Sequence, residues 1–156
     1  MLGLGRTALA LVAALLLAGC GNGPPEVVFT ADGASVPARP AQYCDLRLTE
    51  CIDDPTAPVV LAVPPGTPLR VEVPVEIAQA PWHVVFSYTD AAGAQVDARS
   101  VLFRPDERTE YVLELPAPDD RLRTAQVQQF GPAPEADAAT GEIQFPVRGT
   151  WVLTTD

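Results

Sequence analysis

The stretch "LRVEVPVEI", Leu69 to Ile77, decides the fold class. Leu69, Val71, Val73, Val75 and Ile77 fall on one face of an extended chain, and Arg70, Glu72, Pro74 and Glu76 fall on the other. Strict alternation of this kind is the period of a half-buried β-strand. Pro74 has no backbone N–H to give to a ladder, so the strand is expected to run along a sheet edge there or to bend.

The pattern repeats outward from this stretch. "PWHVVFSYTDAAGAQVDARSVLF" (Pro81 to Phe103) reads as a hairpin. Trp82, Val84, Phe86 and Tyr88 share a face, Asp90 to Gly93 form the turn, and Gln95 to Phe103 return. "RTEYVLEL" alternates again, with Tyr111, Leu113 and Leu115 against Glu110, Val112 and Glu114. Arg121 to Phe130 is a less regular strand, Gly131 to Glu142 a small, polar, acidic loop, and "GTWVLTT" a closing strand with Trp151 and Leu153 facing in. Upstream, "EVVFT", "QYCDL" and "VVLAV" are further short strands. No window carries a sustained helical period. Roughly eight or nine short strands with regular turn signals predict an all-β fold, an Ig-like antiparallel β-sandwich, with a small β-barrel as the alternative.

The chain begins "MLGLGRTALALVAALLLAGC". Arg6 precedes an apolar run, Leu9 to Ala18, of signal-peptide length and too short for a stable membrane span. Leu17-Ala18-Gly19-Cys20 resembles the bacterial lipobox at every position. That resemblance implies a cleaved lipoprotein signal peptide over 1–19, lipidation of Cys20 by diacylglycerol and palmitate-type chains, and a short tether over 20–25. The sandwich domain then covers 26–156. Two or more acyl chains hold a protein on a membrane, where one is marginal. The expected location is the cell membrane, lipid-anchored, on the extracytoplasmic face.

That compartment decides how the remaining cysteines are read. The chain has three, and Cys20 is assigned to lipid, which leaves Cys44 and Cys51 in "YCDLRLTEC". Outside the cytosol such a pair is expected to form a disulfide. A zinc site wants four ligands, with paired cysteines two to four residues apart. Here the spacing is longer, and the chain has one histidine, His83, and one methionine, Met1. A redox-active pair is the other alternative.

All ten basic residues are arginine, against twenty acids. Removing 1–19 takes away only Arg6, leaving nine cations, twenty anions and a net charge of −11. This balance argues against nucleic acid and against electrostatic adhesion to anionic lipid.

Few residues are arranged for chemistry. His83 is out of phase with Trp82, Val84 and Phe86, and is read as an ordinary surface or strand histidine. Ser87 shares its strand face and Asp90 or Asp97 lies in the hairpin, but no nucleophile elbow frames a serine. The acid pairs Asp53–Asp54, Asp106–Glu107 and Asp119–Asp120 each sit beside a proline, where acids ordinarily build turns. Calcium binding and glycosidic acid–base work are the sharper readings, and no D-x-D-x-D-G loop supports them. Tyr43, Trp82, Tyr88, Tyr111 and Trp151 read as core rather than as a groove lining, because most lie in phase with apolar neighbours. No catalytic residue, cofactor or metal is assigned.

The lipobox, "QYCDLRLTEC", "LAVPPGTPLRVEVP", "PWHVVFSYTDAAG", "RTEYVLELPAPDD", "AQVQQFG" and the terminal "RGTWVLTTD" resemble a family of actinobacterial lipoproteins that carry a domain of unknown function. The resemblance spans nearly the whole mature chain and implies a cell-envelope location; no activity comes with it. The expected function is a membrane-anchored, non-enzymatic binding or structural module with an envelope protein or glycan as partner. The alternative is an enzyme, or an enzyme accessory, acting on envelope glycan or lipid.

Overall fold

The computed structural model describes residues 23–155. The lipobox, Cys20 and the first part of the tether lie outside the described residues. Two antiparallel sheets pack face to face. One contains β1 (Val27–Ala31), β2 (Ala34–Ala38), β6 (Leu69–Glu72) and β9 (Glu110–Leu113), in the order β2-β1-β6-β9. The other contains β3 (Gln42–Cys44), β4 (Cys51–Asp53), β7 (Trp82–Thr89), β8 (Gln95–Arg99), β10 (Arg121–Phe130) and β13 (Val147–Thr154), in the order β4-β3-β13-β10-β7-β8. The short β5 (Val59–Val60) runs parallel to β13. The sheet edges stay open, so the fold is a sandwich and not a closed barrel.

The chain path is that of an Ig-like sandwich. From β6 it crosses to the hairpin β7–β8, returns to the first sheet as β9, then crosses again to β10 and β13. Trp82 on β7 is one of two fully buried tryptophans in the core between the sheets. Its ring is fully buried, 4.6 Å from that of Phe103. Trp151 on β13 of the same sheet belongs to the same core, with Phe29, Leu69, Ile77, Leu113 and Leu153 all buried. Tyr43 meets Trp151 edge-on at 5.9 Å. Gly149 makes that contact possible, because a Cβ there would stand 2.7 Å from the Trp151 ring and 2.9 Å from that of Tyr43.

The deciding stretch departs from its expected form at Pro74. The strand stops at Glu72, and after Pro74 the chain makes a single helical turn, α1 (Val75–Ala78). Proline's fixed φ, here −70°, suits the residue that opens a helix and denies the ladder a donor. Val75 is thereby turned out to solvent, whereas Ile77 stays in the core. Two strands of the sandwich lie where no alternation announces them. β2 pairs with β1 across the turn Asp32-Gly33, where both φ are positive (48° and 78°), and β4 pairs with β3 at the edge of the second sheet. The acidic loop after β10 holds a small exposed hairpin of its own, β11 (Glu135–Ala136) with β12 (Ile143–Gln144).

The two ends of the sandwich differ. At one end lie the chain entry at Gly23–Glu26, which lies against Pro74 and Glu76, and α1 itself. The end of β10 is there too, since Phe130 N–H donates to the Pro81 carbonyl. The β5–β6 and β9–β10 loops form the opposite end. The ten residues of β10 separate the two ends by about 33 Å.

Candidate functional site

The far end carries a concavity between the β5–β6 and β9–β10 loops. Its volume is about 250 Å³. Leu69, Leu113 and Leu122 are buried strand residues in its floor, and Val63 and Leu115 extend the apolar lining. Pro64, Pro68, Pro116 and Pro118 stiffen the two loops that wall it, so little backbone freedom remains to be lost on binding. The loops touch through Gly66, whose φ of +75° is one that L side chains rarely adopt. A Cβ at Gly66 would also reach the Pro118 carbonyl at 3.4 Å.

Two acids line this pocket, Glu114 and Asp120. Asp120 is only 3% exposed. Its carboxylate accepts the Ala117 N–H at 3.0 Å, and its own N–H donates to the Ala117 carbonyl at 3.1 Å. Asp120 thus closes the Pro116–Asp120 turn, as an acid beside proline is expected to do. Its burial was not legible in the sequence, because "PDDR" does not say which of two adjacent acids points inward. Among the described residues neither pocket acid is held in an ion pair; the pairs lie at Arg39–Asp54, Arg70–Glu72, Arg70–Glu110 and Arg108–Glu107.

The other acid pairs also build turns. Asp54 accepts the Thr56 hydroxyl and N–H at 2.6 and 2.9 Å, and the hydroxyl bond chiefly holds its carboxyl below the ordinary aspartate range. Asp53 is exposed on β4, and Glu107 accepts the Arg104 N–H at 2.9 Å. The Asp106 N–H reaches back to the Ala78 carbonyl at 2.7 Å. Among the described residues no group of three or more His, Cys, Asp or Glu side chains is placed to hold a metal ion.

His83 is not at the surface. It is 7% exposed, on the face of β7 turned away from the sandwich core. Its Nε2 donates to Gln128 Oε1 at 2.8 Å, and its ring meets the edge of Phe130 at 5.0 Å. Phe130 follows Gln128 by two residues on the same face of β10, so its ring lies against the imidazole. Alternation along β7 alone cannot reveal a cover supplied from another strand. Ser87 bonds the Thr124 hydroxyl at 2.8 Å, opposite Asp97, and Asp90 caps the hairpin turn through the Ala92 and Ala94 N–H groups. Ser87, His83 and these acids are not brought together. Trp82, Tyr88 and Trp151 are buried, and Tyr43 and Tyr111 are half-buried against them or Phe103.

Cys44 and Cys51 form a disulfide across the β3–β4 pair. The intervening turn is organised by Asp45. Its carboxylate accepts the Thr49 and Glu50 N–H groups at 2.8 and 3.1 Å, and the bond from Glu50 foremost lowers its pKa. Arg148 ties this hairpin to β13, donating to the Cys44 carbonyl at 3.1 Å and lying over the Tyr43 ring.

Residues 21–156 match the family model described as a protein of unknown function, DUF2771, and the chain belongs to that family. It is 33% identical over 94 residues to uncharacterised proteins of Mycobacterium tuberculosis (strain H37Rv) and Mycobacterium bovis, a match covering 60% of this chain. The match spans about half the length of these curated relatives, 56%. No solved structure matches the chain.

Proposed function

We propose that this member of the DUF2771 family is a lipid-anchored module of the cell envelope. It is held on the extracytoplasmic face of the membrane through Cys20, and it binds or supports another envelope component without catalysing a reaction. The observation that supports this reading is the polarity of the sandwich. The chain enters beside α1, and the Pro-walled pocket opens at the opposite end, one strand length away. A rigid β-sandwich between the two acts as a spacer that presents the pocket away from the bilayer.

The lining limits what the pocket takes. An apolar floor with Glu114 and Asp120 suits an apolar group that is neutral or cationic and disfavours anions. A photo-crosslinking residue at Glu114, irradiated in intact cells, tests the reading. A discrete adduct from position 114 that disappears when Thr67→Trp fills the pocket is expected, with no such adduct from position 97 on β8. Equal labelling from both positions, insensitive to Thr67→Trp, contradicts it.

A further inference from the structure

The large apolar side chains left in solvent are not scattered. Leu46, Val75, Val101, Leu102, Ile143 and Phe145 are 47–73% exposed, and the segments that carry them meet at the α1 end. Val75 is in α1 itself. Val101 and Leu102 precede Phe103, which pairs with Trp82 at the first residue of β7. Ile143 and Phe145 belong to the β10–β13 connection, where the Gly131 N–H donates to the Pro146 carbonyl. Leu46 is in the β3–β4 turn, whose Leu48 lies close enough to meet a Cβ at Gly131 at 3.3 Å. Of the other exposed large apolar residues, Val60 pairs with Thr154 at the far end of β13, Val112 lies on β9 opposite Arg70, and Ile52 lies on β4 beside the same β3–β4 turn.

The chain entry is at this same end, with Gly23–Glu26 against Pro74 and Glu76. From Cys20 to Pro25 the chain reaches at most about 20 Å when fully extended. An acyl anchor at Cys20 therefore keeps the α1 end, and not the pocket end, within reach of the bilayer. We infer that the α1 end is a lipid-docking surface, whose apolar tips sit in the headgroup region of the membrane that holds the anchor. This rests on the anchoring reading above. Isolated tips on separate turns bury little area each, so they dock only when the tether supplies a high local concentration. With a mature net charge of −11, the domain docks best on zwitterionic lipid and is weakened by anionic lipid.

The test uses the full acylated protein, purified from membranes and reconstituted in phosphatidylcholine vesicles. A polarity-sensitive fluorophore is attached to Phe145→Cys or, as control, to Val112→Cys. Co-sedimentation with vesicles reports the anchor, and quenching by a lipid-borne quencher reports docking. The expected result is co-sedimentation of both, several-fold stronger emission and lipid quenching at position 145, and neither at 112. Co-sedimentation with both probes in water overturns the docking surface and leaves the anchor standing. Protein that carries no acyl chain and stays in the supernatant overturns the anchoring reading, and this inference with it. If the probe at 145 is shielded without vesicles after the acyl chains are removed, a second copy covers this face and the lipid assignment is wrong.

Discussion

Gln129, fully buried on β10, donates its side-chain amide to two carbonyls of α1, Glu76 at 2.9 Å and Ile77 at 3.1 Å. A four-residue helix leaves carbonyls short of helical donors, and this amide from β10 supplies one to Glu76 and joins the Ala80 N–H at Ile77. The Gln129 carbonyl oxygen in turn accepts from Arg148 at 3.4 Å, and Arg148 donates to Cys44. One line of hydrogen bonds thus joins α1, β10, β13 and the disulfide hairpin at the end where the chain enters.

Gln129→Ala should be among the most destabilising substitutions. It leaves the Glu76 and Ile77 carbonyls without this donor and opens a cavity, for a cost of about 2–4 kcal/mol. Urea unfolding measures it, and a loss below about 0.5 kcal/mol would show that the network is dispensable.

Cys44 and Cys51 are seven residues apart, and closing so short a loop is worth about 2–3 kcal/mol of chain entropy. Replacing both by Ala should lower stability by that amount without unfolding the sandwich core, which the hairpin only flanks. Thermal melts of the two proteins decide it. An unchanged melting temperature would show that the bridge adds nothing.

Asp45 supplies a pH dependence. Its folded pKa lies below the unfolded value, so its contribution is fully present above the unfolded pKa and fades as pH falls through the folded one. The Thr49 and Glu50 amide resonances should titrate with a midpoint below the 3.8 of an ordinary Asp, and Asp45→Asn should abolish the transition. A midpoint at or above that value would contradict the turn geometry.

The fold was legible where one sheet face is buried and the other wet. Alternation at Leu69–Glu72 and Tyr111–Leu113 places those residues as found, and along β7 it places Trp82 and Val84 in the core but not the buried His83. It overran at Pro74, where φ fits the start of a helical turn as well as a strand, and only tertiary packing of Ile77 selects the turn. β2 was missed because "ASVPA" is mostly exposed, although the Asp32-Gly33 pair before it is a strong hairpin signal. The disulfide followed from counting cysteines. The pocket did not, since it forms between loops some fifty residues apart.

His83 separates a module from an enzyme. Packed against Phe130 and bonded to Gln128, its ring contributes to stability, and His83→Ala should cost about 1–3 kcal/mol. His83→Gln should still fold and complement a deletion strain. A folded His83→Gln protein that fails to complement would favour an enzymatic role.

The proposed attachment of the domain to the membrane is a lipid tether at Cys20. Metabolic labelling with a fatty-acid analogue, followed by membrane fractionation, tests it most directly. Label and membrane association are expected for the wild-type protein, and loss of both in Cys20→Ala. Undiminished label on Cys20→Ala, or an unlabelled wild-type protein in the soluble fraction, would contradict it.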